Sequence, residues 1–499
     1  MALVYTLRRL HDEGPAWLRR AGATALGRLP ARWKYGRAFR TTWDLLHRAE
    51  GWTAAERTAH QMTRLRGVLE LAGRRVPYYR RLFDERGFDP ARVREVSDLS
   101  ALPLLTRDDV RRLDTGLLPD GRPPAESKYS TTGGTTGKPL GFWITHDASA
   151  AEWAFMLHGW RRAGFRPGDW RVVIRGRVVA GRGARRAVEV DALNQAIYVS
   201  SFDLSAGTLD RCISAIRRSR TRFLHAFPSS ATVVAQHLER TGGTLPSIKA
   251  LLLGSENIYP GQRAYLERVF GCRAFTWYGH SEKSIFAPEC RCGRTYQVSD
   301  AYGVAELVDT DGRPITEPGR RGLLVGTGFI NQATLFVRYL TDDQAEWVEG
   351  PCPGCGADGR LLTGIVGRWN QEYLVGRSGA LIPMAAVNLH TRVYTALRQF
   401  QFRQDTAGEA TLLAVRADAF SADDEAELRR ELDARLGGEV ALTIEFVPEL
   451  SLTGAGKFTF VDQRLDLRLP TYGQPDPEAN TRFRQSADDG TNRASTSGE

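Results

Sequence analysis

The stretch KALLLGSENIYPGQRAYLERVFGCRAFTWYGHSE, Lys249–Glu282, decides the fold. Its apolar run Ala250–Leu253 has strand length, PGQRAYLERVFG predicts a helix opened by Pro260, and AFTWYG reads as a second strand. The same alternation extends upstream: helical AEWAFMLHGWRRAG, strand-like RVVIRGRVV and AIYVSSFDL, helical TLDRCISAIRRS, a short RFLHAF strand and helical SSATVVAQHLERTGG. Strands alternating with helices predict an α/β body with helices covering a sheet. Ligands gather at the carboxyl ends of such strands, which is where Gly254–Asn257 (GSEN) and Tyr278–Glu282 (YGHSE) fall.

Beyond Asp300 the pattern turns β-rich, with Asp-Gly and Gly turns in GVAELVDTDGRPI and GRRGLLVGTGF. A last unit begins near Gly367 and runs EYLVG, strand TLLAVRADAF, helix SADDEAELRRELDARLGG, strand ALTIEFVPEL. Ser421 and Asp424 form a capping box at that helix start, and Gly437 stops it. The expected architecture is α/β: a large multi-layer N-terminal body with a β-rich part, plus a small mobile C-terminal α+β domain. The expected boundaries are a basic helical arm at 1–70, the body at 71–366, the small domain at 367–470 and a disordered polar tail at 471–499.

With 499 residues the chain is too long for one ordinary core. The 42% hydrophobic and 25% charged fractions are those of a soluble globular protein. There is no run of about 18 apolar residues for a spanning helix, and the opening MALVYTLRRLHDEG has only a five-residue apolar start before arginines and acids, too short for a secretory signal. The expected location is cytoplasmic. A net charge of +10 suits nucleotides, CoA, acidic carrier proteins or an anionic membrane, and no nucleic-acid motif accompanies it. The arm, with Leu45, Leu46 and Trp52 among arginines, either packs on the body, the commoner fate, or rests on a membrane.

Only six residues are lysine, and two of them, Lys138 and Lys457, directly follow a glycine in Thr/Gly-rich loops. The loop YSTTGGTTGKPL (Tyr129–Leu140) sets hydroxyls of Ser130, Thr131, Thr132, Thr135 and Thr136, the glycines Gly133, Gly134 and Gly137, and the Lys138 ammonium close together. Glycines bring backbone amides onto an anion, and hydroxyls with a lysine complete a phosphate cradle. Pro139 after Lys138 breaks the P-loop pattern, which leaves a different nucleotide loop or a plain Thr/Gly turn.

Six motifs in order resemble the adenylate-forming superfamily, and most closely the phenylacetate-CoA ligase family with its CapK-like branch. They are the loop ending in Gly137-Lys138-Pro139, GSEN, Tyr278–Glu282, Arg338–Asp343, Gly367-Arg368 and Gly456-Lys457, and the resemblance covers roughly residues 30–470. It implies that a carboxylic acid attacks the α-phosphate of ATP, giving an acyl-adenylate and pyrophosphate, before CoA, a carrier-protein thiol or an amine takes the acyl group. It further implies that Lys138 and the loop hydroxyls hold the β- and γ-phosphates, and that Gly254, Ser255, Glu256, Gly279, His280 and Ser281 lie at the nucleotide. Tyr278 faces adenine, Glu282 binds Mg²⁺, Asp343 (or its neighbour Asp342) binds the ribose, Arg368 sits near ribose and phosphate, and Lys457 serves the α-phosphate. His280 occupies the variable position of its motif, and a loop histidine is more often structural than catalytic. Asn370 stands where the family usually has an acidic hinge residue, which weakens the thiol-acylating half-reaction. A homodimer is compatible with this reading, and so is a non-catalytic member serving polysaccharide or natural-product assembly.

Cys290-x-Cys292 and Cys352-x-x-Cys355 offer four thiolates for a tetrahedral structural zinc, as in some members of that family; free thiols or disulfides are the alternatives. Cys212 and Cys272 read as core positions on a helix and a strand. Trp153, Phe155, Phe227 and Trp277 either line an aryl pocket or fill the core.

Overall fold

The computed structural model describes residues 34–132, 140–175, 188–200, 206–258, 261–367, 373–379, 381–387, 391–436, 438–450 and 460–465. Its helices are α1 (Gly36–Ala49), α2 (Ala54–Arg75), α3 (Pro77–Arg86), α4 (Arg107–Leu113), α5 (His146–Trp160), α6 (Ala206–Ser219), α7 (Pro228–Thr241), α8 (Gln262–Phe270), a short α9 (Met384–Val387) and α10 (Ala422–Leu436).

A hairpin joins β1 (Ser127–Thr132) to β2 (Leu140–Thr145). The large sheet contains β3 (Arg171–Ile174), β4 (Val188–Asp191), β5 (Ala196–Val199), β6 (Phe223–Ala226), β7 (Ala250–Leu253), β8 (Arg273–Gly279) and β9 (Phe286–Pro288), in the order β4-β5-β3-β6-β7-β8-β9. Its inner strands are parallel and its two edge strands antiparallel. The short strands are apolar nearly throughout, as burial on both faces demands: α6, α7 and α8 cover one side around Leu224, Leu251 and Leu253, while α1 and α5 cover the other around Phe39, Trp160 and Leu252. The α/β expectation holds.

The β-rich part is an antiparallel sheet of β10 (Tyr296–Gln297), β11 (Gly303–Val308), β12 (Arg321–Gly328), β13 (Tyr339–Trp347) and β14 (Leu361–Val366), in the order β10-β14-β13-β12-β11. The last unit pairs β15 (Tyr373–Val375) with β16 (Leu381–Pro383), and builds a separate sheet in the order β19-β18-β17-β20 from β17 (Leu397–Thr406), β18 (Glu409–Arg416), β19 (Ala441–Phe446) and β20 (Val461–Gln463). Its core, around Phe400, Phe402, Leu412, Leu428 and Leu432, also takes in Phe227 from the end of β6. The capping box is formed: Ser421 N and Oγ donate to Asp424 Oδ2, and Asp424 N donates to Ser421 Oγ.

From Gly36 on, the N-terminal arm is helical and packs on the body, with Phe39 stacked on Trp43 and Leu46 buried beside Phe155. Trp52 lies in the turn between α1 and α2, and Cys272 in the bend before β8, not in the strand itself. Cys272 sits just outside the strand because Gly271, at φ 62°, caps the preceding helix in the left-handed conformation. Cys212 is fully buried on α6. Among the described residues no helix is long and apolar enough to cross a membrane. Residues 1–33, Pro260, Arg368, Asn370, Gly437 and Lys457 lie outside the described residues, as do Gly133, Gly134, Thr135, Thr136, Gly137, Lys138 and Pro139 of the Thr/Gly loop.

Candidate active site

A cleft of about 710 Å³ opens at the carboxyl ends of β3, β6, β7 and β8. Its lining gathers Thr132, Gly254, Ser255, Glu256, Tyr278, Gly279, His280, Ser281, Glu282 and Asp343, drawn from four motifs, together with Gly367 of a fifth. Ser130 and Thr131 are buried on β1 and do not line it. Only the last residue of that strand reaches the cleft. The rest of the expected phosphate cradle, Gly133, Gly134, Thr135, Thr136, Gly137 and Lys138, falls outside the described residues.

Glu282 is almost fully buried, at 2% exposure. Its Oε1 accepts from the Tyr339 hydroxyl at 2.7 Å and faces Arg107 Nη1 at 3.4 Å, and its Oε2 lies 3.1 Å from His280 Nδ1. His280 Nε2 in turn meets Ser284 Oγ at 3.0 Å, so this histidine is a bridge that orients the carboxylate. Arg107 also donates to Thr132 Oγ1 at 2.9 Å and thereby ties the start of the Thr/Gly loop to Glu282. Two local features aim Arg107. Thr106 caps α4 in a capping box with Asp109, and Leu105 is clamped onto the start of β13 by hydrogen bonds with Arg338 O and Leu340 N.

Tyr278 donates its hydroxyl to Asp343 Oδ2 at 2.7 Å, which holds the ring plane and the carboxylate together. Strand alternation decides between the paired aspartates: Asp343 points into the cleft, whereas Asp342, at φ 61°, is exposed on the other face of β13. Arg338 serves the frame, since its guanidinium is buried against Glu306 at 3.1 Å. Asn257 donates to Gly367 O at 3.2 Å and accepts from Gly367 N at 3.3 Å, which pins the entrance to the Gly-Arg motif.

Glycines set how close these segments come. A Cβ on Gly254 would stand 2.5 Å from the Trp277 ring, so GSEN lies flat against that indole only without a side chain. Glu256 caps α7 from outside, accepting from Ser229 N at 3.0 Å and Ser229 Oγ at 2.9 Å. Burial pushes its carboxyl up to about 7 against those hydrogen bonds and the field of Arg175.

Arg107 and Arg175 are cleft residues outside every motif, whereas Tyr339 and Asn257 stand inside two of the motifs, which assign them no role. Of the aromatic candidates, Trp153, Phe227 and Trp277 line the cleft, whereas Phe155 is core against Tyr302.

No family model matches the chain. It is 27% identical over 368 residues to the phenylacetate-coenzyme A ligase of Thermus thermophilus, covering 71% of this chain and 80% of that one. The Escherichia coli phenylacetate-coenzyme A ligase is 28% identical over 341 residues, covering 66% and 74%. The chain is a relative of the phenylacetate-CoA ligases. Protein CapK of Staphylococcus aureus is 24% identical over 374 residues, covering 73% of this chain and 80% of CapK. The fold is shared with 2-hydroxyisobutyryl-CoA ligase, solved with 2-HIB-AMP and CoA in its thioesterification state, at a TM-score of 0.53, 20% identity and coverage of 87% and 93%. In this relative of the phenylacetate-CoA ligases, five of the six motifs place a residue in the cleft.

The four cysteines converge elsewhere, beside β9 and β10. The Sγ of Cys290, Cys292, Cys352 and Cys355 all lie within 4.8 Å of one another. Cys292 is 3.3 Å from both Cys290 and Cys352, and Cys290 is 3.7 Å from Cys352. A tetrahedral zinc with bonds of about 2.3 Å separates its sulfurs by about 3.8 Å, so the set fits that ion. None of the four is joined in a disulfide.

Proposed function

We propose that the chain is an AMP-forming carboxylate ligase that makes an acyl-adenylate from a carboxylic acid and ATP and passes the acyl group to CoA. In the first step an acid oxygen bonds to the α-phosphorus as the bond to the bridging oxygen of pyrophosphate breaks. In the second a CoA thiolate takes the acyl carbon and AMP leaves. The observation that carries this reading is the convergence of Tyr278, Glu282 and Asp343 on one cleft. The Tyr278 ring presents a flat face for adenine, and its hydroxyl orients Asp343 for the ribose hydroxyls. Glu282 would hold Mg²⁺, a hard ion taking carboxylate and phosphate oxygens; it lines the cleft with its Oε2 beside the His280 nitrogen, which is compatible with that role. Lys138 and the Thr/Gly loop, Gly133, Gly134 and Gly137 included, are assigned to departing pyrophosphate, Arg368 to ribose and phosphate, and Lys457 to the α-phosphate oxygens where charge accumulates. The small C-terminal domain, 367–470, is read as the element that brings Lys457 in.

The test is carboxylate-dependent ATP–pyrophosphate exchange across aryl, fatty and amino acids. Exchange with at least one acid is expected; its absence with every acid, while ATP still binds, would sink the proposal. Lys457→Ala is expected to slow exchange by about 10²-fold with ATP affinity and melting temperature nearly unchanged, and an unaltered rate would remove that lysine from the chemistry. The cysteine cluster is proposed to hold one structural zinc. Metal analysis is expected to find about one equivalent per chain, and Cys292→Ser to lower both zinc content and melting temperature. Less than about half an equivalent in chelator-free protein would argue against zinc.

A further inference from the structure

Strand alternation divides the cleft into two compartments. Tyr278 faces the side with Asp343 and His280, whereas its neighbour Trp277 faces the opposite side with His225 and Trp160. If the first compartment takes the nucleotide, the second takes the acyl portion of the acid.

Arg175, the residue after β3, enters this second compartment. Its Nη1 donates to His225 Nε2 and its Nη2 to Ser255 Oγ. The guanidinium lies 5.1 Å from the centroid of Phe227 and 5.7 Å from that of Trp277. Both hydrogen-bond partners are neutral: burial, with the charges of Arg175 and Arg171, holds His225 well below its ordinary value. The nearest carboxylate by its field, Glu256, is engaged by Ser229. Burial draws Arg175 down to about 10, so it stays cationic at neutral pH. Drawing this half-buried cation away from water onto neutral partners carries a desolvation cost. A purely apolar acyl chain would add to that cost, whereas an oxygen acceptor would offset it.

The geometry points to a substrate class: a carboxylic acid that carries an oxygen acceptor, a hydroxyl or a second carboxylate, at the end remote from its reacting carboxylate. Arg175 donates to that oxygen, and Phe227 and Trp277 flank the linking portion. This rests on the reading of the cleft as an acyl-adenylate site. Arg175 is then the specificity residue, and His225 and Ser255 are positioning residues that aim it.

The experiment measures ATP–pyrophosphate exchange by the full-length chain with matched acids: phenylacetate against 4-hydroxyphenylacetate and 1,4-phenylenediacetate, and hexanoate against 6-hydroxyhexanoate and adipate. One substituted acid is expected to exceed its unsubstituted partner by about 10²-fold in kcat/KM, because a site built to hydrogen-bond a group rejects the analogue that lacks it. The hydroxyl and carboxylate arms decide which acceptor it is. Arg175→Met is expected to erase the preference through the KM for the acid, leaving the KM for ATP within about twofold, and Arg175→Lys to restore part of it on the carboxylate arm. Equal or better exchange with the unsubstituted acids overturns the substrate class, as does an Arg175→Met effect that falls equally on both members of a pair. Exchange with no acid overturns the ligase reading itself, and the substrate class with it. If Arg175→Met melts early, the wild-type pairs alone decide.

Discussion

Replacing Glu282 with glutamine is expected to slow ATP–pyrophosphate exchange by about 10²- to 10³-fold, the scale on which removing one preorganised electrostatic group acts. The substitution keeps the size of the side chain and removes its charge. Glu282 is buried with its Oε1 held by Tyr339 at 2.7 Å, so the amide will occupy the same place but bind a hard cation poorly. Part of the loss will be structural, because Arg107, at 3.4 Å, is left as a buried cation without its carboxylate. The two contributions separate on the magnesium dependence. Loss of a metal ligand raises the magnesium concentration at half-maximal rate, whereas loss of Arg107 pairing alone lowers the melting temperature and leaves that concentration unchanged. Tyr339→Phe is the control. It removes one neutral donor and keeps the charge, so exchange should fall less than about tenfold. Glu282→Gln with an unshifted magnesium requirement would eliminate the metal-binding role.

What was legible in the sequence is the part encoded by neighbours in the chain. The alternation in Lys249–Glu282 gives β7, α8 and β8 because those elements are each made by local periodicity. The strand ends then place GSEN and YGHSE on the cleft without further information. Asp343 required one more step, since which of two adjacent aspartates faces inward depends on the register of β13, and Asp342 at positive φ sits where that strand is irregular. Arg107 was not legible: its partner Glu282 is 175 positions away, and nothing about an arginine at the start of a short helix separates it from the many others in this chain. Asn257 was read only as a member of GSEN, because Gly367 is 110 positions distant. Ser130 and Thr131 were drawn into the phosphate loop by composition, although β1 continues through them and pairs with β2.

The strands carry a further signal in their glycines. Gly303, Gly326 and Gly328 lie within strands, where an isolated glycine marks a close backbone approach. Together they form a floor under Lys283 and Ser284, the residues that follow Glu282. Gly303→Ala is expected to cost about 4 kcal/mol in urea unfolding, at the exceptional end for one methyl group. Its Cβ would stand 2.2 Å from Ser284 O and 2.6 Å from Thr327 O, both backbone oxygens with no rotamer to escape into. Gly303 pairs with Gly328 on β12, which itself leaves 2.6 Å to Lys283 O for a Cβ, so the strand has no free side toward which to relax. The accommodation left is a shift of 283–284 away from the sheet, which drags Glu282 off Tyr339. The folded fraction should therefore also show the raised magnesium requirement of Glu282→Gln. At Gly326 the nearest obstacle is the Ser284 hydroxyl at 2.2 Å, which truncation can remove. Ser284→Ala should therefore recover part of the stability lost in Gly326→Ala and none of that lost in Gly303→Ala. A Gly303→Ala chain as stable as the wild type, or one rescued by Ser284→Ala, would mean that Glu282 is positioned by its hydrogen bonds and not by the glycine floor beneath it.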